Sequence, residues 1–466
     1  MFRERIANAL RLYTFENIYL IPRKASIEPN EIDLTTKFSK NIVLNIPIAS
    51  SPMDMVTELD MAIAIALHGG IGVVHRNMSI DQQVEIVSRV KSYPPIKLRN
   101  AFVKPNDMCS RVMDYMVSEG IRDLPVVDDL GHVRGYVKLW KLKEICRKGN
   151  EVVNTIIDSG TIYNITEIEK ARRSIIRGEF DAIAIVSKEG FYVGTLLLRD
   201  AIEEITPVLD KDGRLLVAAA ISPFDIDRAK KLDKYVDALV SDVAHFHNIN
   251  ILDSARKLVK EISADFVAGN IGTYEAAIDV IHSVERVDGF RVGIAGGSIC
   301  ITADVAGVYA PTLWAVASVR DAIEDLKLSI PIVADGGIRT SGDAVKALAA
   351  GASSVMLGYV LAGTDEASAP LIAVGEKLYK PYRGMASRGA MTKRYAVDRY
   401  SRTVKRAPEG VEGLVPYKGP LSKIVKEFVE GIRAGLGYAG ARNIEELWRV
   451  ALFGIAPRKE TIQNLF

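Results

Sequence analysis

Short runs of apolar residues alternate with longer amphipathic segments through the carboxy-terminal half of the chain. The runs read LLVAAAI (215–221), DALVSDV (237–243), ADFVAGN (264–270), FRVGIAG (290–296), IPIVADGG (330–337) and SSVMLGY (353–359). The segments between them, such as 224–235, 251–262 and 342–351, repeat apolar residues about every 3.6 positions, which is the helical period. Continuous apolar strands that alternate with helices indicate a parallel sheet covered by helices.

Two more strand-like runs lie near the amino terminus, NIPIASSPM (45–53) and GGIGVVHRN (69–77). Eight such units predict an α/β fold, a (β/α)8 TIM barrel, with an open doubly wound sheet as the alternative. The barrel is favoured because polar or flexible residues follow directly after strand-like runs, and a barrel gathers these positions on one face. They are Ser51, Asp242, Asn270, Cys300, Asp335 and Gly358.

A duplicated segment interrupts this pattern between residues 99 and 205. Its halves, around 119–139 and 178–201, each read as helix, strand, polar turn, strand and helix. Internal duplication of this kind is typical of an inserted module that packs on itself. The predicted domains are therefore a discontinuous barrel, residues 1–98 and 206–466, and an insert with halves at about 99–152 and 153–205.

Composition and charge mainly exclude classes of protein. The chain has 60 Lys and Arg against 58 Asp and Glu, and the basic residues are scattered, which argues against a nucleic-acid partner. The longest strongly apolar stretch, 61–67, is far too short to span a membrane. Three cysteines without metal-site spacing, and no secretion signal at the amino terminus, predict a cytoplasmic protein.

Cys300 is a candidate nucleophile. Gly296, Gly297 and Ser298 stand just before it, and small residues at a strand end let backbone amides approach an anion such as phosphate. A lone cysteine is more often an inert apolar residue. The glycine-glycine-serine stretch directly upstream favours a nucleophile beside an anion site instead.

A second candidate phosphate site lies at 334–359. Asp335 ends a strand-like run and can accept bonds from both hydroxyls of a ribose, while Gly336 and Gly337 allow the backbone to pass beneath a phosphate. Gly358 and Tyr359 end the next run in the same way. By contrast, His245 and His247 lack matched ligands in the sequence, and we predict no metal there.

The ordered motifs along nearly the whole chain resemble the inosine-5'-monophosphate (IMP) dehydrogenase family, which also includes GMP reductase. The most specific include GGSICIT (296–302), IPIVADGGIRTSGD (330–343), YRGMASRGAM (382–391) and PEGVEGLVPYKG (408–419). The insert resembles a pair of CBS domains, which in many proteins bind adenine or guanine nucleotides. Its second half keeps Gly194 and Asp200 of the CBS nucleotide pattern but has Leu197 at the hydroxyl position.

The resemblance implies a role for each matching position. Twelve residues would bind IMP, because they form the pocket wall or contact the phosphate, the ribose or the purine. They are Ser51, Met53, Ser298, Asp335, Gly336, Gly337, Gly358, Tyr359, Tyr382, Met385, Ala386 and Glu409. Asp242 and Asn270 would face the nicotinamide riboside of NAD. A potassium ion would be held by the backbone carbonyls of Ala295, Gly297 and Cys300.

The family reaction explains these residue types. Cys300 would attack C2 of the hypoxanthine, hydride would pass to NAD, and water would then hydrolyse the covalent thioimidate to give XMP. The resemblance assigns the activation of this water to an Arg-Tyr pair on a flap, and Arg399-Tyr400 fits the family spacing better than Arg394-Tyr395. Thr302, two residues after the nucleophile, can relay a proton.

Two alternatives stay open at this point. GMP reductase shares the cysteine and phosphate loops, and Val243-Ala244 after Asp242 matches the reductase as well as the dehydrogenase. A purine nucleotide sensor without catalytic activity is the other, although an intact Cys300 argues against it. The resemblance also implies a homotetramer.

Overall fold

The computed structural model describes residues 2–145, 152–202, 205–392, 395 and 409–457. The chain divides into two compact units, Met1–Tyr93 with Thr206–Phe466, and Pro94–Ile205. The first boundary falls earlier than the predicted position after residue 98. The reason is that Ile96 is buried in a core of the second unit and Leu98 packs against the same core.

Eight parallel strands of the first unit form a closed barrel, which confirms the predicted TIM fold and rules out the open sheet. We number them β1 (Ile48–Ser50), β2 (Ile71–Val74), β3 (Val217–Ile221), β4 (Ala238–Ser241), β5 (Asp265–Ile271), β6 (Gly289–Val292), β7 (Ile332–Asp335) and β8 (Ser354–Leu357). The barrel closes where β8 pairs with β1, Val355 opposite Ile48, and where β2 pairs with β3, Gly72 opposite Val217.

These strands are short, apolar and buried on both faces, as parallel strands beneath a layer of helices must be. Every residue of β3 and β5 is buried, and β7 emerges only at its last residue, Asp335. Gly72 in β2 is required for close packing, since a Cβ there would lie 2.6 Å from the Cα of Ala62 on the covering helix. The strands therefore end abruptly, and polar residues begin directly at the carboxyl-terminal rim.

Helices cover the barrel and complete the first unit. They are Phe2–Ala7, Leu59–Leu67, Ile80–Ser92, Ile226–Leu232, Ile249–Leu258, Tyr274–Ser283, Thr302–Ala306, Thr312–Asp325, Ser341–Ala349, Tyr359–Ala362, Arg388–Thr392, Leu421–Ala439 and Ile444–Val450, with a 3-10 turn at Pro29–Glu31. Several begin at a side chain that caps free backbone amides, such as Ser79, Asn248 and Thr340. No helix in the described part of the chain is long and apolar enough to cross a membrane.

Smaller sheets flank the barrel. They pair Ile18–Leu20 with Phe453–Ile455, Thr36–Lys37 with Val43–Leu44, and Ile372–Val374 and Glu412–Pro416 with the central strand Lys377–Arg383. The last of these sheets carries Tyr382 at the end of its central strand. The sheet thereby brings a segment distant in sequence to the rim of the barrel.

A buried lysine lies near the opposite, amino-terminal end of the barrel. Lys91 Nζ lies 3.0 Å from Asp210 Oδ2 and 2.6 Å from Asp237 Oδ2. Burial alone raises the pKa of Asp210, but the Arg214 backbone amide and the Lys91 ammonium together lower it to about 2. For Asp237, burial is the largest effect and leaves its pKa raised despite Lys91. The folded protein therefore favours the charged form of Asp210.

We expect Asp210→Asn to lower the free energy of unfolding at pH 7, and this loss to shrink as the pH falls. The native pKa of about 2 lies below the ordinary value of 3.8. The stabilising contribution of Asp210 is thus fully present above about pH 4 and is lost as the pH falls through about 2. Urea titrations of wild type and variant at several pH values measure it. A difference that grows on acidification would contradict the assignment.

The second unit repeats one order of elements, helix, strand, strand and helix. Its halves consist of Cys109–Glu119, Asp123–Val127, Val133–Lys138 and Leu139–Ile145, then Ile168–Ile176, Ala182–Val186, Tyr192–Leu197 and Leu198–Ala201, with an additional strand at Ile162–Asn164 and 3-10 turns at Val153–Thr155 and Ile165–Glu167. The halves share a core, because Ala182 and Leu197 pack with Leu124 and Val126. Tyr136 also joins them, since its hydroxyl accepts a bond from the Ala184 amide at 2.6 Å.

Candidate active site

One cavity opens at the carboxyl-terminal rim of the barrel. Its wall is built by the segments after β1, β6, β7 and β8, by the end of β5, and by the segments around Tyr382–Ala386 and Glu409–Gly410. Because all these strands are parallel, their carboxyl ends meet at the same rim. The cavity is therefore assembled from segments that lie far apart in the sequence.

Cys300 lies in this cavity at the start of a hydrogen-bonded chain. Its Sγ donates to Thr302 Oγ1 at 3.2 Å, and Thr302 Oγ1 donates to Glu409 Oε2 at 2.7 Å. Backbone bonds hold the two segments together, since the Ile301 amide donates to the Glu409 carbonyl at 3.0 Å. The arrangement gives a proton on the thiol a path through a hydroxyl to a carboxylate.

Glycine loops form the part of the cavity suited to an anion. Gly336 and Gly337 have left-handed φ angles of 100° and 77°. A Cβ on Gly336 would lie 3.0 Å from the Gly297 nitrogen, so only glycine lets these two loops approach each other. Ser298 and Gly358 also line this region. Backbone amides and a hydroxyl are thus available to bind a phosphate.

Tyr382 adds a phenol to this anion site. Its side chain is buried, and burial raises its pKa well above the ordinary range, although a hydrogen bond with Ser298 partly opposes this. The phenol therefore keeps its proton at neutral pH and can donate it to a bound anion. Its hydroxyl also contacts Met53 Sδ at 3.7 Å, which ties it to the loop after β1.

Asp335 presents a fixed carboxylate to the cavity. Its Oδ2 accepts bonds from Asn270 Nδ2 at 3.0 Å and from Arg291 Nε at 2.8 Å. Arg291 is fully buried, and burial disfavours its charge, but Asp335 and Asp242 outweigh this effect and raise its pKa. The guanidinium therefore stays charged and orients Asp335.

Asp242 lies beneath the cavity and not on its wall. It is buried, and its carboxylate contacts Arg291 Nη1 at 3.2 Å and Arg76 Nε at 3.4 Å. Ala244, two residues later, does line the cavity. The predicted contact of Asp242 with a nicotinamide riboside stays a prediction.

Most of the predicted site residues meet in this one cavity. Its lining includes Ser51, Met53, Asn270, Ala295, Gly297, Ser298, Cys300, Thr302, Asp335, Gly336, Gly337, Gly358, Tyr359, Tyr382, Met385, Ala386 and Glu409. Arg399 and Tyr400 lie outside the described residues, as does Arg394. His247 Nε2 is bonded to Asp279 at 2.7 Å, away from the cavity lining.

Arg291 is the functional residue that sequence reasoning missed. It stands within β6 between Phe290 and Val292, both of which are fully buried. A charged residue inside an apolar strand must find buried partners of opposite charge, and this was the available signal. Its partners, Asp242 and Asp335, were singled out from the sequence, but for contacts with ligands.

Comparisons with known proteins agree with this geometry. A family sequence model described as "IMP dehydrogenase / GMP reductase domain" matches residues 12–459. An inosine-5'-monophosphate dehydrogenase of Korarchaeum cryptofilum is 45% identical over 93% of this chain and 92% of its own length. That of Methanocaldococcus jannaschii is 41% identical over 98% and 95%.

Solved structures of a GMP reductase variant from Trypanosoma brucei are also similar. One, in complex with guanosine 5'-monophosphate, shares 32% identity with a TM-score of 0.71 and covers 99% of this chain and 98% of its own. A second structure of this variant shares 31% identity with a TM-score of 0.77. Because the reductase is covered almost completely, the presence of the insert does not separate the two activities.

Proposed function

The chain belongs to the IMP dehydrogenase / GMP reductase family, and from that premise we propose that it oxidises IMP to XMP with NAD as the hydride acceptor. The choice of this activity over reduction of GMP rests on one observation. The relatives at 41–45% identity over more than nine-tenths of both chains are IMP dehydrogenases, whereas the GMP reductase structures are 31–32% identical.

The cavity supports binding of a purine mononucleotide. We assign the phosphate to Ser298, Gly337, Gly358 and Tyr382, where amides and two hydroxyls converge. The ribose hydroxyls would donate to Asp335, whose orientation Asn270 and Arg291 fix. The purine would then lie between Cys300 and the segment that carries Met385 and Ala386.

Covalent chemistry begins at Cys300. Its sulfur forms a bond to C2 of the hypoxanthine as the π bond between C2 and N3 breaks, and the proton of the thiol ends on N3, a transfer that Thr302 and Glu409 can relay. NAD, when bound, supplies the hydride acceptor, and C2 becomes the carbon of a thioimidate on Cys300. Asn270 and Ala244 line the side of the cavity on which the nicotinamide riboside would lie.

Water then releases the product. It adds to C2, the carbon–sulfur bond breaks, and XMP and the free thiol result. The proton of this water would go to Arg399 and Tyr400, by resemblance to the family. Thr302 and Glu409 offer a second path, supported by their 2.7 Å hydrogen bond. The balance is IMP, NAD and water to XMP, NADH and a proton.

Potassium and the assembly are further parts of the proposal. Ala295 has a left-handed φ of 61°, a backbone conformation usual for glycine. The potassium ion would be held by its carbonyl with those of Gly297 and Cys300, and the Gly297 carbonyl also accepts a bond from the Cys300 amide at 3.0 Å. In the insert, Asp200 is bound by Arg99 Nε at 2.7 Å, so a purine nucleotide there would have to displace an ion pair. A homotetramer remains part of the proposal, to be tested by light scattering.

A paired substrate assay tests the function. We expect the purified protein to form NADH from IMP and NAD, and to leave NADPH unchanged in the presence of GMP. The assay is run with and without potassium, ATP and GTP. Consumption of NADPH with release of ammonia would establish the reductase instead. Nucleotide binding without either reaction would establish a sensor.

A further inference from the structure

Two loops on one side of the cavity are interlocked by residues that do not line it. One loop follows β1 and carries Ser51 and Met53, and the other follows the strand Lys377–Arg383 and carries Met385 and Ala386. Asp54 directly follows Met53, and Arg383 stands between Tyr382 and Gly384, so both members of the contact are sequence neighbours of residues that line the cavity.

An ion pair between Asp54 and Arg383 forms the centre of the interlock. Arg383 Nη2 lies 2.5 Å from Asp54 Oδ2, and Arg383 Nε lies 3.2 Å from Asp54 Oδ1, so the contact is bidentate. Asp54 is buried. Burial alone raises the pKa of Asp54, but Arg383 and Asn77 together leave it below its ordinary value. The carboxylate is therefore charged at neutral pH.

Weaker contacts extend the same connection. The Asp54 amide donates to Met385 Sδ at 3.4 Å, and the Tyr382 hydroxyl contacts Met53 Sδ at 3.7 Å. Asn77 Nδ2, from the segment after β2, donates both to Asp54 Oδ2 at 3.0 Å and to the Ala390 carbonyl at 3.1 Å. Three segments of the rim are thus joined at one carboxylate.

We propose that Asp54 and Arg383 are positioning residues that hold the purine-binding segment of Met385 and Ala386 at the correct distance from the wall formed by Ser51 and Met53. This inference rests on the proposed function, because that function places the purine between these loops. A bidentate ion pair suits the role, since its two parallel bonds fix orientation as well as distance. Loss of the pair weakens nucleotide binding. The Cys300–Thr302–Glu409 chain keeps the bond from the Ile301 amide to the Glu409 carbonyl at 3.0 Å, and because the Glu409 amide also donates to the Ala386 carbonyl at 3.1 Å, a small change in kcat accompanies the loss.

The test compares Asp54→Asn, Arg383→Gln and the double variant with wild type. We expect each single variant to raise the KM for IMP about tenfold or more, with kcat within about threefold and the KM for NAD unchanged. The KM for IMP of the double variant should be no higher than that of the single variant with the higher KM, because both changes remove the same interaction. Arg383→Lys keeps the positive charge but cannot make two parallel bonds to Asp54, so its affinity for IMP should lie between those of wild type and Arg383→Gln.

Asp210→Asn is the matched control. It breaks an ion pair at the opposite end of the same barrel, where Asp210 bonds to Lys91 at 3.0 Å. It should lower thermal stability without changing the KM for IMP. A KM in Asp54→Asn and Arg383→Gln within about twofold of wild type, or an equal rise in Asp210→Asn, would overturn the proposal.

A second readout does not depend on turnover. Iodoacetamide should alkylate Cys300 at the same rate in wild type and Asp54→Asn without nucleotide, whereas protection by IMP should need about tenfold more IMP in the variant. Equal protection would contradict the positioning role. If wild type turns out to reduce GMP, the proposed function fails, but the same comparison with GMP still tests the interlock.

Discussion

Replacing Cys300 with alanine is expected to lower IMP turnover by about 10⁴-fold or more, because the reaction then has no nucleophile to form the covalent intermediate. The rest of the site should survive. Cys300 is only partly buried, and its side chain has a single described side-chain hydrogen bond, to Thr302 at 3.2 Å. IMP binding, measured calorimetrically, should therefore stay within about tenfold of wild type. Turnover is measured by the formation of NADH.

The covalent step has its own measurement. Intact-mass spectrometry after incubation with IMP and NAD should detect a nucleotide adduct on the wild-type protein and none on Cys300→Ala. Cys109→Ala is the matched control, since Cys109 is buried in the core of the second unit. It should retain both the adduct and the turnover. Residual turnover in Cys300→Ala within about tenfold of wild type would refute the mechanism.

The barrel could be predicted because its strands are buried on both faces. Such strands read as continuous apolar runs, and each ends where a polar or glycine residue begins, as at Ser51, Asp335 and Gly358. Because parallel strands of a barrel end at the same rim, the residues predicted to bind ligands were also expected to lie together there. Glycines at 336 and 337 were also informative, because their left-handed φ angles allow the close approach of two loops.

The interactions that orient the site could not be predicted in this way. Asp54 and Arg383 are 329 residues apart in sequence, and only the folded chain brings them to 2.5 Å. Periodicity gives the side of an element on which a residue lies, but it does not give its partner. For the same reason the sequence predicts that Asp242 contacts the nicotinamide riboside but does not predict its ion pairs with Arg76 and Arg291 in the fold.

The insert could be recognised from the sequence, but its presence does not identify the reaction. Its duplication was visible in the sequence, and the structure has two matching halves with a shared core. The insert does not indicate which of the two family reactions this chain catalyses, because a GMP reductase structure also aligns over 99% of this chain. The direction of the reaction therefore rests on the relatives of higher identity and on the substrate assay.

Replacing Arg291 with methionine is expected to lower the free energy of unfolding by about 3–5 kcal/mol, because Asp335 then loses the cation bonded to it and Asp242 keeps only Arg76. Arg291 lies 2.8 Å from Asp335 and 3.2 Å from Asp242, and its side chain is 5% exposed. Methionine fills a similar volume, so the loss reflects charge more than packing. Urea titration measures it, and the KM for IMP should rise because Asp335 is no longer held.

Two further variants separate charge from packing. Arg320→Met removes another mostly buried arginine, whose guanidinium donates to the Gly351 carbonyl and lies 4.4 Å from the ring of Trp448. We expect it to cost less, about 1–3 kcal/mol, because the carboxylate that interacts with Arg320, that of Glu324, is exposed to water and not buried. Adding Asp335→Asn to Arg291→Met removes one of the two charges that the arginine neutralised. The double variant should therefore be more stable than Arg291→Met alone, and a further loss of stability would show that Arg291 acts through packing instead.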